Sequence, residues 1–185
     1  MSTTRAPAMP AEARRDAIVR ATLPLLFERG AGVSTKQIAE AAGIAEGTIF
    51  RVFPDKDAVV RAAVELAFDP EPAEQALSAI DRTQPFEGQL ADAIRIIQHR
   101  MATLWQLLST GIEAPPKAPP TDSVALVSLF DGHTDELRTD PKTAARRLRA
   151  LTLALSHPLL NADDPISPEE IVSFLLDGLR AHRCS

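Results

Sequence analysis

Ser34-Thr-Lys-Gln-Ile-Ala-Glu-Ala-Ala-Gly43-Ile-Ala-Glu-Gly-Thr-Ile-Phe-Arg-Val-Phe53 decides how the rest of the chain is read, because it holds two short helical patterns joined at one glycine. Ser34 is placed to cap the first helix, and Gln37 is placed to reach back from the third position, which together make a capping box. Ile38, Ala39 and Ala42 supply a small apolar face, and Gly43 supplies the positive φ that ends the helix. A second helix fits from Glu46. At 100° per residue Ile49, Phe50 and Phe53 group on one side, leaving Gly47, Thr48, Arg51 and Val52 on the other. Alanines at 39 and 42 let two helices cross closely, the arrangement by which a helix-turn-helix presents its second helix to a DNA major groove. By spacing alone, an ordinary corner between two helices remains the alternative.

The flanking residues extend the pattern. Leu25 to Gly30 reads Leu-Leu-Phe-Glu-Arg-Gly, a helix stopped by glycine, and Gly43 to Asp57 reads Gly-Ile-Ala-Glu-Gly-Thr-Ile-Phe-Arg-Val-Phe-Pro-Asp-Lys-Asp. From about Ala11 to Ala67 the chain resembles the DNA-binding domain of the TetR family of bacterial repressors. The resemblance rests on the Gly-x-x-x-Gly-Thr-aliphatic-aromatic run, on Phe53, and on Lys56 before the next helix. It implies an all-α homodimer that binds a palindromic operator in double-stranded DNA and leaves it when a small-molecule effector enters a C-terminal helical domain. Two departures bear on operator choice: Ala45 stands where the family usually has a capping Ser or Thr, and Arg51-Val52 stands where Tyr and His are common.

Residue chemistry assigns the DNA contacts. Thr48 offers a hydroxyl to phosphate and a methyl to thymine, Arg51 forks to guanine O6 and N7 or holds phosphate, and Val52 makes apolar contact only. Gly47 allows close backbone approach. Ser34, Thr35 and Lys36 open one helix and Lys56 opens another, where N–H groups, hydroxyls and charge face phosphate. For Ser34 and Thr35, capping alone is the other reading.

Composition agrees with a few placed cations rather than a basic coat. The net charge is −5 over 185 residues; Met1 to Val60 carries eight Lys/Arg against seven Asp/Glu, and the remainder twelve against eighteen. A nearly neutral head on an acidic body suits a reader of specific DNA. The single Cys184 cannot form an intramolecular disulfide, and no apolar run approaches the ~18 residues of a membrane span. Residues 1–10 lack the apolar stretch of a signal peptide, so the expected setting is cytoplasmic, with no membrane partner. There is no phosphate loop, nucleophile elbow or metal-ligand spacing, and His99, His133, His157 and His182 are dispersed. No catalytic residue, metal site or cofactor is therefore expected.

Taken in order, residues 1–10 read as a mobile arm around Arg5, 11–54 as the DNA-binding domain, 55–68 as a connecting helix, and 69–185 as a ligand-binding and dimerisation domain. Pro24 predicts a kink in the first helix, and Asp69-Pro70-Glu71-Pro72 reads as a hinge. A long helix is predicted over 86–112, a proline loop over 114–120, and a helix over 124–137 that carries Gly132 near its middle. On the long helix Arg95, Gln98, His99, Met101 and Trp105 form the candidate ligand pocket; the alternative has Trp105 in the core and the polar groups in solvent. The last two helices begin at Asp140-Pro141 and Ser167-Pro168. Their apolar residues Leu148, Leu151, Leu155, Ile171, Val172, Leu175 and Leu179 exceed what one core needs, predicting a twofold dimer contact there.

Overall fold

The computed structural model describes residues 10–116, 122–158 and 166–179. The arm with Arg5, Lys117 to Pro120 of the proline loop, and Cys184 lie outside them, as does the side chain of Leu179. The fold is all-α. Two compact units are formed by the described parts of Met1–Asp69 with Leu104–Lys117, and of Pro70–Thr103 with Ala118–Ser185.

In the first unit, α1 (Ala11–Arg29) packs along α4 (Lys56–Phe68) and against α2 (Thr35–Ala41), which in turn meets α3 (Glu46–Ile49). Ile18, Leu26, Val33, Ile38, Ile49, Phe53, Val59 and Ala63 fill the core between them. Helix α1 runs through Pro24, at the cost of the one bond that a proline nitrogen cannot give to the carbonyl four residues back. The buried Thr22 hydroxyl satisfies itself by donating to the Ile18 carbonyl at 2.7 Å. Gly30 closes α1 at φ 58° and ψ −148°, a conformation almost confined to glycine. A Cβ there would lie 2.5 Å from the Thr110 carbonyl oxygen. Residues 104–117, expected with the rest of the C-terminal part, join this unit because Leu107 and Ile112 are buried in its core.

The second unit contains α5 (Glu71–Ser78), the part of α6 (Phe86–Ser109) up to Thr103, α7 (Val124–Asp131), α8 (Pro141–Leu155) and α9 (Pro168–Leu179). Leu90, Ile94, Leu126, Leu129, Phe130, Leu148 and Ile171 make its core. Phe86 stands edge-on to Phe130 and stacks on the ring of His133. Several helix caps are closed by side chains. Asp55 accepts from the Ala58 N–H, Asp140 from the Thr143 N–H, and Ser167 with Glu170 closes a reciprocal box. Pro72 sits in the first turn of α5, where its missing N–H costs nothing, and the two units divide between Asp69 and Pro70, inside the stretch read as a hinge. One expectation is corrected. The helix expected to run to Leu137 stops at Asp131 with Gly132 as its C-cap, and a 3₁₀ turn, Thr134–Glu136, follows.

The apolar residues of α8 and α9 divide between core and surface. Leu148, Ile171, Val172 and Leu175 are buried inside their own unit, and Leu151 and Leu155 are half-buried against the same core. The unit's own packing covers the first four and only part of the last two. What remains outward is Phe174, 63% exposed on α9, and Leu153, 41% exposed on α8.

Ahead of α7, Asp122 accepts hydrogen bonds from Arg146 at 2.7 and 3.0 Å and pairs with Lys142 at 2.9 Å. These donors, Arg146 foremost, hold its carboxyl down at about 2. A carboxyl whose pKa is lowered on folding contributes stability that is complete above its unfolded value, here 3.8, and is lost as pH falls through about 2. The Asp122 side-chain carbon is therefore expected to titrate near 2 by NMR, and to move back towards the ordinary carboxylate range in Arg146→Gln. An unchanged midpoint in that variant would remove Arg146 as the cause.

Candidate nucleic-acid interface

The helix-turn-helix is built from local bonds. Ser34 caps α2 by accepting from the Gln37 N–H at 3.2 Å, while the Ser34 N–H and hydroxyl donate to the Gln37 side chain at 2.9 and 3.1 Å. Gly43 turns the chain at φ 65°. At α3 the N-cap Ala45 gives no side-chain bond. Instead the Thr35 hydroxyl donates to the Glu46 carboxylate, tying the start of α2 to the start of α3. The sequence carried no signal for that bond beyond a carboxylate in a first turn. It occupies the Thr35 hydroxyl, as the cap occupies that of Ser34.

Helix α3 is only four residues long, and then continues in tight turns: Arg51 N–H to the Thr48 carbonyl, and Val52 and Phe53 N–H both to that of Ile49. Ile49 and Phe53 are fully or almost fully buried, and Val52 packs partly against the same core, whereas Phe50 is 52% exposed. The expected faces are thus exchanged at two positions, Phe50 pointing out and Val52 in. On a helical wheel Val52 lies about 60° from Ile49 and Phe50 about 100° from it, so geometry favours burying the smaller side chain. Phe50 is the outward residue that reading by hydrophobicity alone missed.

Around it, Gly47 and Arg51 are exposed and Thr48 is half-buried. Neither Lys36, exposed on α2, nor Arg51 makes a hydrogen bond or ion pair among the described residues. Lys56 differs: its ammonium donates to the Ala31 carbonyl at 3.0 Å, bracing the start of α4 against the turn after α1. Arg15 lies over the Phe53 ring, 4.7 Å from its centre. The outward side of α3 therefore offers one unpaired guanidinium, one aromatic face and a glycine backbone. Those groups can fork to a guanine edge, press on a thymine methyl and approach the backbone closely.

The five residues expected to form a ligand pocket have different surroundings among the described residues. Arg95 lines a cleft between α6 and α9. Gln98 donates to the Ser156 hydroxyl and the Ile166 carbonyl, His99 is exposed, and Met101 packs against the second core. Trp105 belongs to the first unit. Among the described residues no three His, Cys, Asp or Glu come together as metal ligands, and no helix is long and apolar enough to cross a membrane.

Residues 18–63 match the family model of bacterial regulatory proteins, tetR family. No curated protein matches the chain. Among solved structures, one solved as the molecular basis for control of antibiotic production by bacterial hormones is 25% identical, with 90% of this chain and 97% of the other covered and a TM-score of 0.56. A TetR-family transcriptional regulator from Vibrio parahaemolyticus is 20% identical, with coverages of 91% and 100% and a TM-score of 0.56. A further one from Mesorhizobium loti is 16% identical, with coverages of 94% and 100% and a TM-score of 0.59. These last two share the fold. The matched stretch spans α2, α3 and the turn between them, so residues 18–63 form a helix-turn-helix of the kind that model describes, and the protein is a DNA-binding transcriptional regulator.

Proposed function

We propose that the protein is a homodimeric repressor that acts in the cytoplasm, reads a palindromic operator with two copies of α3, and leaves it when a small molecule occupies its second unit. The observation that carries the DNA reading is the pairing of an exposed Phe50 with an unpaired, exposed Arg51 above the buried Ile49 and Phe53. An aromatic left half in water on a four-residue helix is an unfavourable arrangement for the free protein, and base contact relieves it. DNA recovered from a random pool is expected to be twofold symmetric, with half-sites about 34 to 36 Å apart or a multiple of that. A pool that yields no enriched sequence would overturn the reading. In a reporter fused to the recovered site, loss of the protein is expected to raise expression; a fall would make it an activator.

Effector control draws support from the second unit's own core, from the cleft in it, and from the 25% identical neighbour tied to bacterial hormones. The dimer draws support from Phe174 and Leu153, large apolar groups on the outer sides of adjacent helices, with the exposed Ala150 and Gly178 beside them to permit close approach. Each Phe that a partner covers contributes roughly 1.5–3 kcal/mol, and twofold symmetry counts it twice. Phe174→Glu is therefore expected to give monomers in sedimentation at micromolar concentration, with an unchanged circular dichroism spectrum. An intact dimer would move the contact off this face.

A further inference from the structure

Glu46 opens α3 and is exposed there, and its carboxylate is held by the Thr35 hydroxyl from the start of α2. That bond engages Oε1, while Oε2 accepts from no described residue. Along the helix Glu46 lies one turn ahead of Phe50, and Gly47 one turn ahead of Arg51, so the two rows make one contiguous patch. All four residues are exposed, above the buried Ile49 and Phe53. The patch thus carries a fixed carboxylate towards one end and the Arg51 guanidinium towards the other, and Arg51 makes no ion pair among the described residues.

By charge alone, a carboxylate is disfavoured on a surface that meets DNA. The duplex carries one negative charge per about 1.7 Å of its axis, and each phosphate within reach repels Glu46. Only a hydrogen-bond donor on a base edge offsets that repulsion. The major groove presents two kinds, the N4 amino group of cytosine and the N6 amino group of adenine. Adenine sets its N7 acceptor beside N6, facing the lone pairs of a carboxylate, whereas cytosine brings no acceptor of its own. In a helix-turn-helix the early residues of the second helix are the ones that reach base edges. We infer that Glu46 reads sequence by selecting cytosine, with Oε2 accepting from the N4 amino group while Thr35 holds Oε1. The inference rests on α3 being the reading helix, and it adds a second base to the guanine that Arg51 is fitted to bind.

The test is Glu46→Gln in the full-length protein, measured on the duplex recovered from a random pool and on all its single-base variants. Glutamine has the same shape, and its amide oxygen still accepts from the Thr35 hydroxyl, so the tie between α2 and α3 is kept. Its amide also donates, the pattern that pairs with adenine N6 and N7. The wild-type protein is expected to favour cytosine by about fivefold or more at one position of each half-site, and the variant to turn that position towards adenine. Glu46→Ala is expected to bring the four bases there to near equality. A base profile that Glu46→Gln leaves unchanged would reduce Glu46 to a tie between two helices and overturn the inference. A uniform rise of every affinity in that variant, with the cytosine preference kept, would make the carboxylate a guard against phosphate and overturn it equally. Both of those results leave α3 as the reading helix, whereas a wild-type protein that prefers no base at any position overturns the reading and the inference together.

Discussion

Arg51→Ala is expected to cost roughly 1–3 kcal/mol per half-site on the preferred operator, hence about twice that for a dimer, and to relax the preference at one base pair. The guanidinium is exposed on the outer side of α3 and engaged by no described side chain, so nothing internal is lost with it. Lys56→Ala is the contrast. Its ammonium already serves the Ala31 carbonyl, and any phosphate it also meets carries no sequence information. That variant is expected to weaken all DNA sequences alike and to lower the salt slope by about 0.9 per lost phosphate contact. Phe50→Ala falls between the two, expected to lower preference for thymine at one position without changing the salt slope. Binding to the operator and its single-base variants across a salt series separates the three. If Arg51→Ala lowered every affinity equally, Arg51 would hold phosphate, and base reading would rest on Phe50, Thr48 and DNA shape.

Gly30→Ala is expected to destabilise the first unit by roughly 2–5 kcal/mol, through two separable causes. One is the backbone: φ 58° with ψ −148° lies outside the regions that an L-residue occupies comfortably. The other is space, since the new Cβ would sit 2.5 Å from a backbone carbonyl oxygen, that of Thr110, which cannot swing aside like a side chain. Gly43 isolates the first cause, having φ 65° and no heavy atom within 4 Å of its would-be Cβ, so Gly43→Ala is expected to cost about 1–2 kcal/mol. Gly32→Ala isolates neither, with ordinary φ and open space, and is expected to be neutral or slightly stabilising. Urea midpoints for the three variants give the comparison. Equal losses at Gly30 and Gly43 would mean that the approach of Thr110 adds nothing.

What the sequence by itself determined is whatever depends on residues close together in the chain. The Ser34–Gln37 box, the Gly43 turn, the Asp55 and Asp140 caps, and the Ser167–Glu170 box are each closed by a bond across three residues or a single φ. So residue type at fixed spacing suffices to read them, and the helix-turn-helix with them. Tertiary packing decided the rest. Phe50 and Val52 exchanged faces, Val52 packing partly against the core and Phe50 left exposed, because Val52 lies nearer to the buried Ile49 on the helical wheel. The apolar stripes of α8 and α9 were read as a partner's contact, and their hydrophobicity did not say which residues of each stripe face the chain's own core. Only the packing of α6, α7 and α9 around Leu148 and Ile171 showed which residues were already covered. Leu107 and Ile112 lie ahead of a proline-rich segment in the chain, yet are buried with residues from Ile18 to Val64. Hydrophobicity marks a residue for burial, and only the fold names what buries it.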